Sequence, residues 1–189
     1  MTHVNTLSVS TNTYRIISTL DGSTETCSLS ELSQKLKLNC ILAELNTDSS
    51  ISDSWPLVHE TLVTFAVEFA DYALKHYSKQ KIPEAEACIA LTRKWLENHD
   101  SVSVEELRVA ANAAYAAAAH AERAAADAAY AAAAATAAAS RRASVRVAGP
   151  AAVAAALAAY SANAVAGKNR EAELIRQGQF IVEYLRAGT

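Results

Sequence analysis

Between Ser103 and Gly149 the chain has neither glycine nor proline, and most of the interval is alanine. From Ala110 to Ala159, thirty-one of the fifty residues are alanine. Alanine has the highest helix propensity because it has no side-chain rotamers to lose, so this run reads as helix. Within it, "ANAAYAAAA" (Ala111 to Ala119) returns fifteen residues later as "ADAAYAAAA" (Ala126 to Ala134), and a weaker echo, "AAYSANAVA", begins at Ala158. Small residues let helix axes approach to about 8 Å, and a tyrosine adds a large ring with a polar tip. The repeat therefore reads as a close-packing face with one large anchor per unit: Tyr115, Tyr130 and Tyr160. At about 100° per residue, Ala113 and Ala117 lie opposite the first tyrosine, and Ala128 and Ala132 opposite the second. The run is either one long helix or two helices meeting near Ala121 to Arg123, the second being more compact. Thr136 is the only threonine in it, which excludes a regular threonine array of the ice-binding kind. Glu122, Arg123 and Asp127, with no leucine or isoleucine around them, exclude a membrane span.

The flanks add further helices. Ser103 to Glu106 ("SVEE") forms a capping box. Pro83 opens a helix whose inner side carries Ala85, Cys88, Ile89, Thr92, Trp95 and Leu96. Trp55-Pro56 reads as another helix start, with Val58, Leu62, Phe65, Ala66, Phe69, Ala73 and Tyr77 facing a core. Gly149-Pro150 restarts a helix to about Ala166, and the last helix carries Leu174, Ile175, Ile181, Val182 and Leu185. Upstream, Tyr14 to Leu20 fits a short helix or a strand. "SLSE" (Ser28 to Glu31) is a second capping box that predicts a helix with Leu29, Leu32 and Leu36 on one side. Thr47 to Asp53 reads as a turn or linker. Few glycines and prolines argue against a sandwich or barrel. The expected fold class is all-α, an antiparallel alanine-rich bundle of about six helices (54–189) behind a small, partly helical N-terminal segment (1–53).

No catalytic constellation stands out. His3, His59, His76, His99 and His120 contain no i, i+4 pair. Phosphate-binding glycine loops, nucleophile elbows and calcium loops are missing. The expectation is a non-enzymatic chain with no cofactor and no metal. Three cysteines (Cys27, Cys40, Cys88) without a CxxC pair suggest reduced thiols in a cytoplasmic protein, and the N-terminus has no signal-peptide pattern. A net charge of −3 gives no reason to expect nucleic acid. "SLSELSQKLKLNCILAEL" resembles the opening of a winged-helix DNA reader, but no basic cluster comes after it. Acid is concentrated between Pro83 and Glu106. Glu97, Asp100, Glu105 and Glu106 are the candidate partner-binding residues, a docking surface for a basic partner. "RRASVR" (Arg141, Arg142, Arg146) is a basic counterpart.

Four stretches carry a family resemblance: "FAVEFADYALKHY", "PEAEACIALTRKWLENHDSVSVEELRVAANAAYAAAAHA", "AADAAYAAAAA" and "AAVAAALAAYSANAVAG". With Trp95 at the tryptophan step before an acidic turn and Glu106-Leu107-Arg108 at the next helix start, the last two thirds of the chain resembles immunity proteins of bacterial polymorphic-toxin loci, the immunity-five-like group. Tyrosines stand here where that family often has histidine, and the N-terminal region is longer. The resemblance implies a binding protein that neutralises a cognate protein toxin by direct contact. Self-assembly through the alanine helices into a homo-oligomer is the alternative.

Overall fold

The computed structural model of the chain describes residues 12–37, 40–121, 123–140 and 166–188. The Gly149-Pro150 restart, the third echo with Tyr160 and the basic run Arg141, Arg142 and Arg146 lie outside them.

The chain is not all-α. A four-stranded antiparallel sheet precedes the helices: β1 (Thr13–Ser18), β2 (Thr24–Ser28), β3 (Cys40–Leu45) and β4 (Ile51–Leu57), in the order β2-β1-β3-β4. In β1, Tyr14 and Ile16 are buried while Thr13 is exposed and Arg15 and Ile17 are half-buried. This is the two-residue alternation of a strand with one covered face. The β1–β2 turn is set by Gly22 at φ +71° and by the Asp21 carboxylate, which accepts from the Ser23 amide at 3.0 Å and its hydroxyl at 2.8 Å. Asn46 closes the β3–β4 turn by accepting from the Asp48 and Ser50 amides.

Two expected helix starts are corrected. Only half of the Ser28–Glu31 box forms: the Glu31 carboxylate accepts from the Ser28 amide and hydroxyl at 2.9 and 2.8 Å, while the Glu31 amide bonds to the Ser28 carbonyl. The box leads only to a 3₁₀ turn, Leu32–Gln34. Leu29, Leu32 and Leu36 are nonetheless all buried, so the apolar side is readable from the sequence and the element is not. Trp55-Pro56 lies in β4, an edge strand, where the missing proline donor is tolerated and Trp55 and Leu57 point into the core. Val58 is exposed, the helix beginning one residue later.

Five α-helices come next among the described residues: α1 (His59–His76), α2 (Pro83–Glu97), α3 (Val104–Ala118), α4 (Arg123–Ser140) and α5 (Arg170–Ala187). The alanine run is thus two helices, the first ending at Ala118. Pro83 occupies the first turn of α2, and Ser103 and Glu106 close the capping box of α3. Helix α4 packs against α1, α2 and α3, and its alanines 125, 128, 129, 131, 132, 133, 135 and 139 are all buried. Away from the open edge marked by Asp127 and Tyr130 the helix is almost wholly alanine, and alanine is what lets three neighbours crowd it. Helix α3 buries one stripe only, Leu107, Ala111, Ala114 and Ala118. Ala113 is exposed and Ala117 half-buried, so the expected inner stripe is rotated: Tyr115 points sideways toward α4, not away from the core.

Polar ties lock the layers. Thr136, the lone threonine of the alanine run, meets Thr92 of α2 at 2.7 Å, and both hydroxyls reach helix carbonyls. The buried Glu173 carboxylate of α5 takes Tyr77 at 2.9 Å, Arg176 at 2.7 and 2.8 Å and Gln177 at 2.8 Å. Arg93 of α2 bridges Glu68 and Asp71 of α1 at 2.6 and 2.9 Å. Phe65 of α1 packs edge-on against Phe180 and Tyr184 of α5. The buried cluster is continuous from Tyr14 in the sheet to Leu185 in α5, and β4 spans the expected segment boundary at residue 53.

Candidate partner-binding surface

The four acids suspected from the sequence meet at one corner, because α2 ends at Glu97 and α3 starts at Val104 with a single tight turn between. The turn is over-determined. The Asn98 side chain accepts from the Asp100 amide at 3.0 Å. The Ser101 hydroxyl reaches the Lys94 and Asn98 carbonyls at 3.1 and 2.6 Å. Val102 plugs the core beneath.

Trp95 forms the floor of the corner. It is 4% exposed, as the sequence reading of a core residue at the α2–α3 junction requires. The rings of His59 and His99 meet it edge-on at 6.3 and 4.5 Å between centroids.

All four acids are exposed, but they are not equivalent. Glu106 accepts from the Ser103 amide and hydroxyl at 2.8 and 2.7 Å, and these bonds, amide first, hold its carboxyl below the ordinary range. Glu105 grips Arg108 with both oxygens, at 2.9 and 2.6 Å, and that contact likewise lowers its pKa. Glu106 is therefore a helix cap and Glu105 half of an ion pair. Glu97 and Asp100 make no ion pair among the described residues, so they carry the corner's available negative charge.

The sequence reading missed what adjoins them. Val104 and Val109 are each 57% exposed on α3. Further along, Tyr115 and Tyr130 pack ring to ring at 5.8 Å and stay about 40% open. The two repeat units thus bring their tyrosines to each other at the surface. From Val109 to Ala121 no side chain carries a formal charge, and that gap was the available signal. Exposed apolar side chains thus accompany the acidic corner, on two sides of α3.

Among the described residues no group of three or more His, Cys, Asp or Glu is placed to hold a metal ion. All three cysteines are buried without a disulfide, and burial pushes the Cys27 thiol up to about 11. No described helix is long and apolar enough to cross a membrane. No family model matches the chain, and neither does any curated protein or solved structure.

Proposed function

We propose that the chain is a non-catalytic binding protein of the immunity kind, which neutralises a bacterial toxin by covering it. The observation that carries the reading is the corner where Glu97 and Asp100 make no ion pair among the described residues, together with exposed Val104, Val109 and the Tyr115–Tyr130 pair. This is the make-up of a protein interface, with charge at the rim and aromatic and aliphatic residues at the centre. The fitting partner is a basic protein with an apolar patch, drawn in by complementary charge. The resemblance of the last two thirds to immunity proteins points the same way. The test is capture of partners from the native host by the full chain, and then binding kinetics with the partner found. Glu97→Lys with Asp100→Lys should slow association and flatten its dependence on salt. Unchanged kinetics in a folded variant would remove this surface from consideration.

A second reading rests on the exposed alanines of α3. Ala113, Ala116 and Ala119 face outward, which would suit a second copy of the chain packing helix to helix. Sedimentation equilibrium separates the two: self-assembly gives a dimer or larger species in the pure protein, and the immunity reading needs only a monomer.

A further inference from the structure

A different part of the molecule holds an arginine with no carboxylate partner among the described residues. Arg93, Arg108, Arg176 and Arg186 each grip a carboxylate. Arg15 is half-buried in β1 and engages no hydrogen bond or ion pair among the described residues. Its strand is hydrogen-bonded on both sides, and its cross-strand neighbours are Thr26 of β2 and Ala43 of β3. Directly paired residues share a face, and Thr26 lines the same hollow as Arg15.

The space is a hollow of about 530 Å³ lined by Arg15 together with Thr13, Thr26, Asn46, Ser52 and Glu44. Glu44 is the only acid among the described residues of the lining, and it does not serve Arg15. It pairs with Tyr14 in the register and so points to the opposite face. Arg186 of α5 holds one of its oxygens at 2.5 Å and Asn12 the other. The hollow therefore presents one uncompensated guanidinium among hydroxyls and an amide.

Arg15 buries its stem on the sheet and keeps its guanidinium open to the hollow, where its donors can take up a ligand. An oxyanion fits them, because the planar N–H fork matches phosphate or carboxylate oxygens two at a time. The volume exceeds that of a bare ion and lies in the range of small-molecule sites. The polar lining selects a hydrophilic ligand over an apolar one. We propose that this hollow binds a small hydrophilic phosphate ester, such as a sugar phosphate, with Arg15 as the phosphate anchor and the Thr13, Thr26 and Ser52 hydroxyls around the remainder. The site uses other elements than the α2–α3 corner and stands apart from the toxin reading.

The test is titration of the full chain with ribose 5-phosphate, inorganic phosphate and ribose, monitored by calorimetry and by backbone amide NMR. Ribose 5-phosphate should bind saturably and shift the amides of Thr13, Arg15, Thr26 and Ser52, while ribose should not. Arg15→Gln should weaken binding by about tenfold with an unchanged unfolding midpoint. Arg15→Lys should recover part of the loss, keeping the charge without the fork. Lys79→Gln with Lys81→Gln, in the loop between α1 and α2, should leave binding intact. The proposal is overturned if no phosphate-bearing probe binds, if Arg15→Gln binds as well as the wild type, or if only the lysine pair matters. It is also overturned if inorganic phosphate binds as tightly as the ester, which would reduce the hollow to an ion site.

Discussion

Gly178 sits in the middle of α5, where glycine ordinarily weakens a helix by about 1 kcal/mol relative to alanine. A Cβ there would come 2.2 Å from the Leu29 carbonyl oxygen and 2.9 Å from its Cγ, so the glycine is what lets α5 lie against the 28–36 segment. Gly178→Ala should reverse the usual gain and destabilise by about 1–3 kcal/mol, the range for overpacking, measured by urea unfolding. A variant as stable as the wild type would mean that this contact is absent. Trp95 makes the opposite case. It is large and buried at the floor of the acidic corner, and Trp95→Ala should cost about 3–5 kcal/mol in the same assay. A small loss would place the indole at the surface. Acid titration probes the sheet. Glu25 is held by Lys35 and then Lys37, both at 2.6 Å, and its pKa falls from an ordinary 4.5 to about 2. The unfolded chain takes up that proton more readily than the folded one. The pair's contribution is therefore complete above about pH 4.5 and is lost as pH falls towards 2. Glu25→Gln should flatten the decline of stability across that window. Asp21, also lowered to about 2, chiefly by the Ser18 hydroxyl, leaves a remainder. A decline as steep as that of the wild type would deny the pair a role.

The elements differ in how far their sequences betray them. Helices α1 to α3 are legible because apolar spacing, Pro83 and the Ser103 box agree with one another. The strands are not, because a correct local signal is outweighed. The same S-x-x-E box opens fifteen residues of helix at Ser103 and one 3₁₀ turn at Ser28. The residues downstream of the box make the difference: alanine in the first case, and the alternating Lys35-Leu36-Lys37 in the second, whose period of two is that of a strand. Tertiary packing then overrides the cap, with Leu29, Leu32 and Leu36 buried in the common core. The repeat units are legible as helix but not in orientation, since one unit lies on a one-sided helix and the other on a central one. Leucine substitutions along α3 test that placement, because leucine barely alters helix propensity. Ala114→Leu and Ala118→Leu should each cost about 1–3 kcal/mol, and Ala113→Leu and Ala116→Leu should be close to neutral in urea unfolding. Equal effects at all four positions would contradict the orientation of α3.

At the scale of the molecule, a sheet and five helices among the described residues share one core, and the α2–α3 corner adds exposed acids to its surface. Glu84 and Glu86 stand exposed at the start of α2, Glu97 at its end and Asp100 just beyond. The position of the acids is legible in the sequence. The engagement of Glu105 and Glu106, and the valines and tyrosines beside them, depend on how α3 is rotated. A partner steered by the acidic corner and seated on the exposed valines and tyrosines is the reading that uses both features. The most direct measurement expresses each protein captured from the native host by the full chain on its own, and then together with it. One captured protein should arrest growth when expressed alone, and co-expression of the wild-type chain should restore it. Glu97→Lys with Asp100→Lys, unfolding at the wild-type midpoint, should fail to protect. If no captured protein arrests growth, or if the reversed variant protects as well as the wild type, the chain does not act as an immunity protein through this surface.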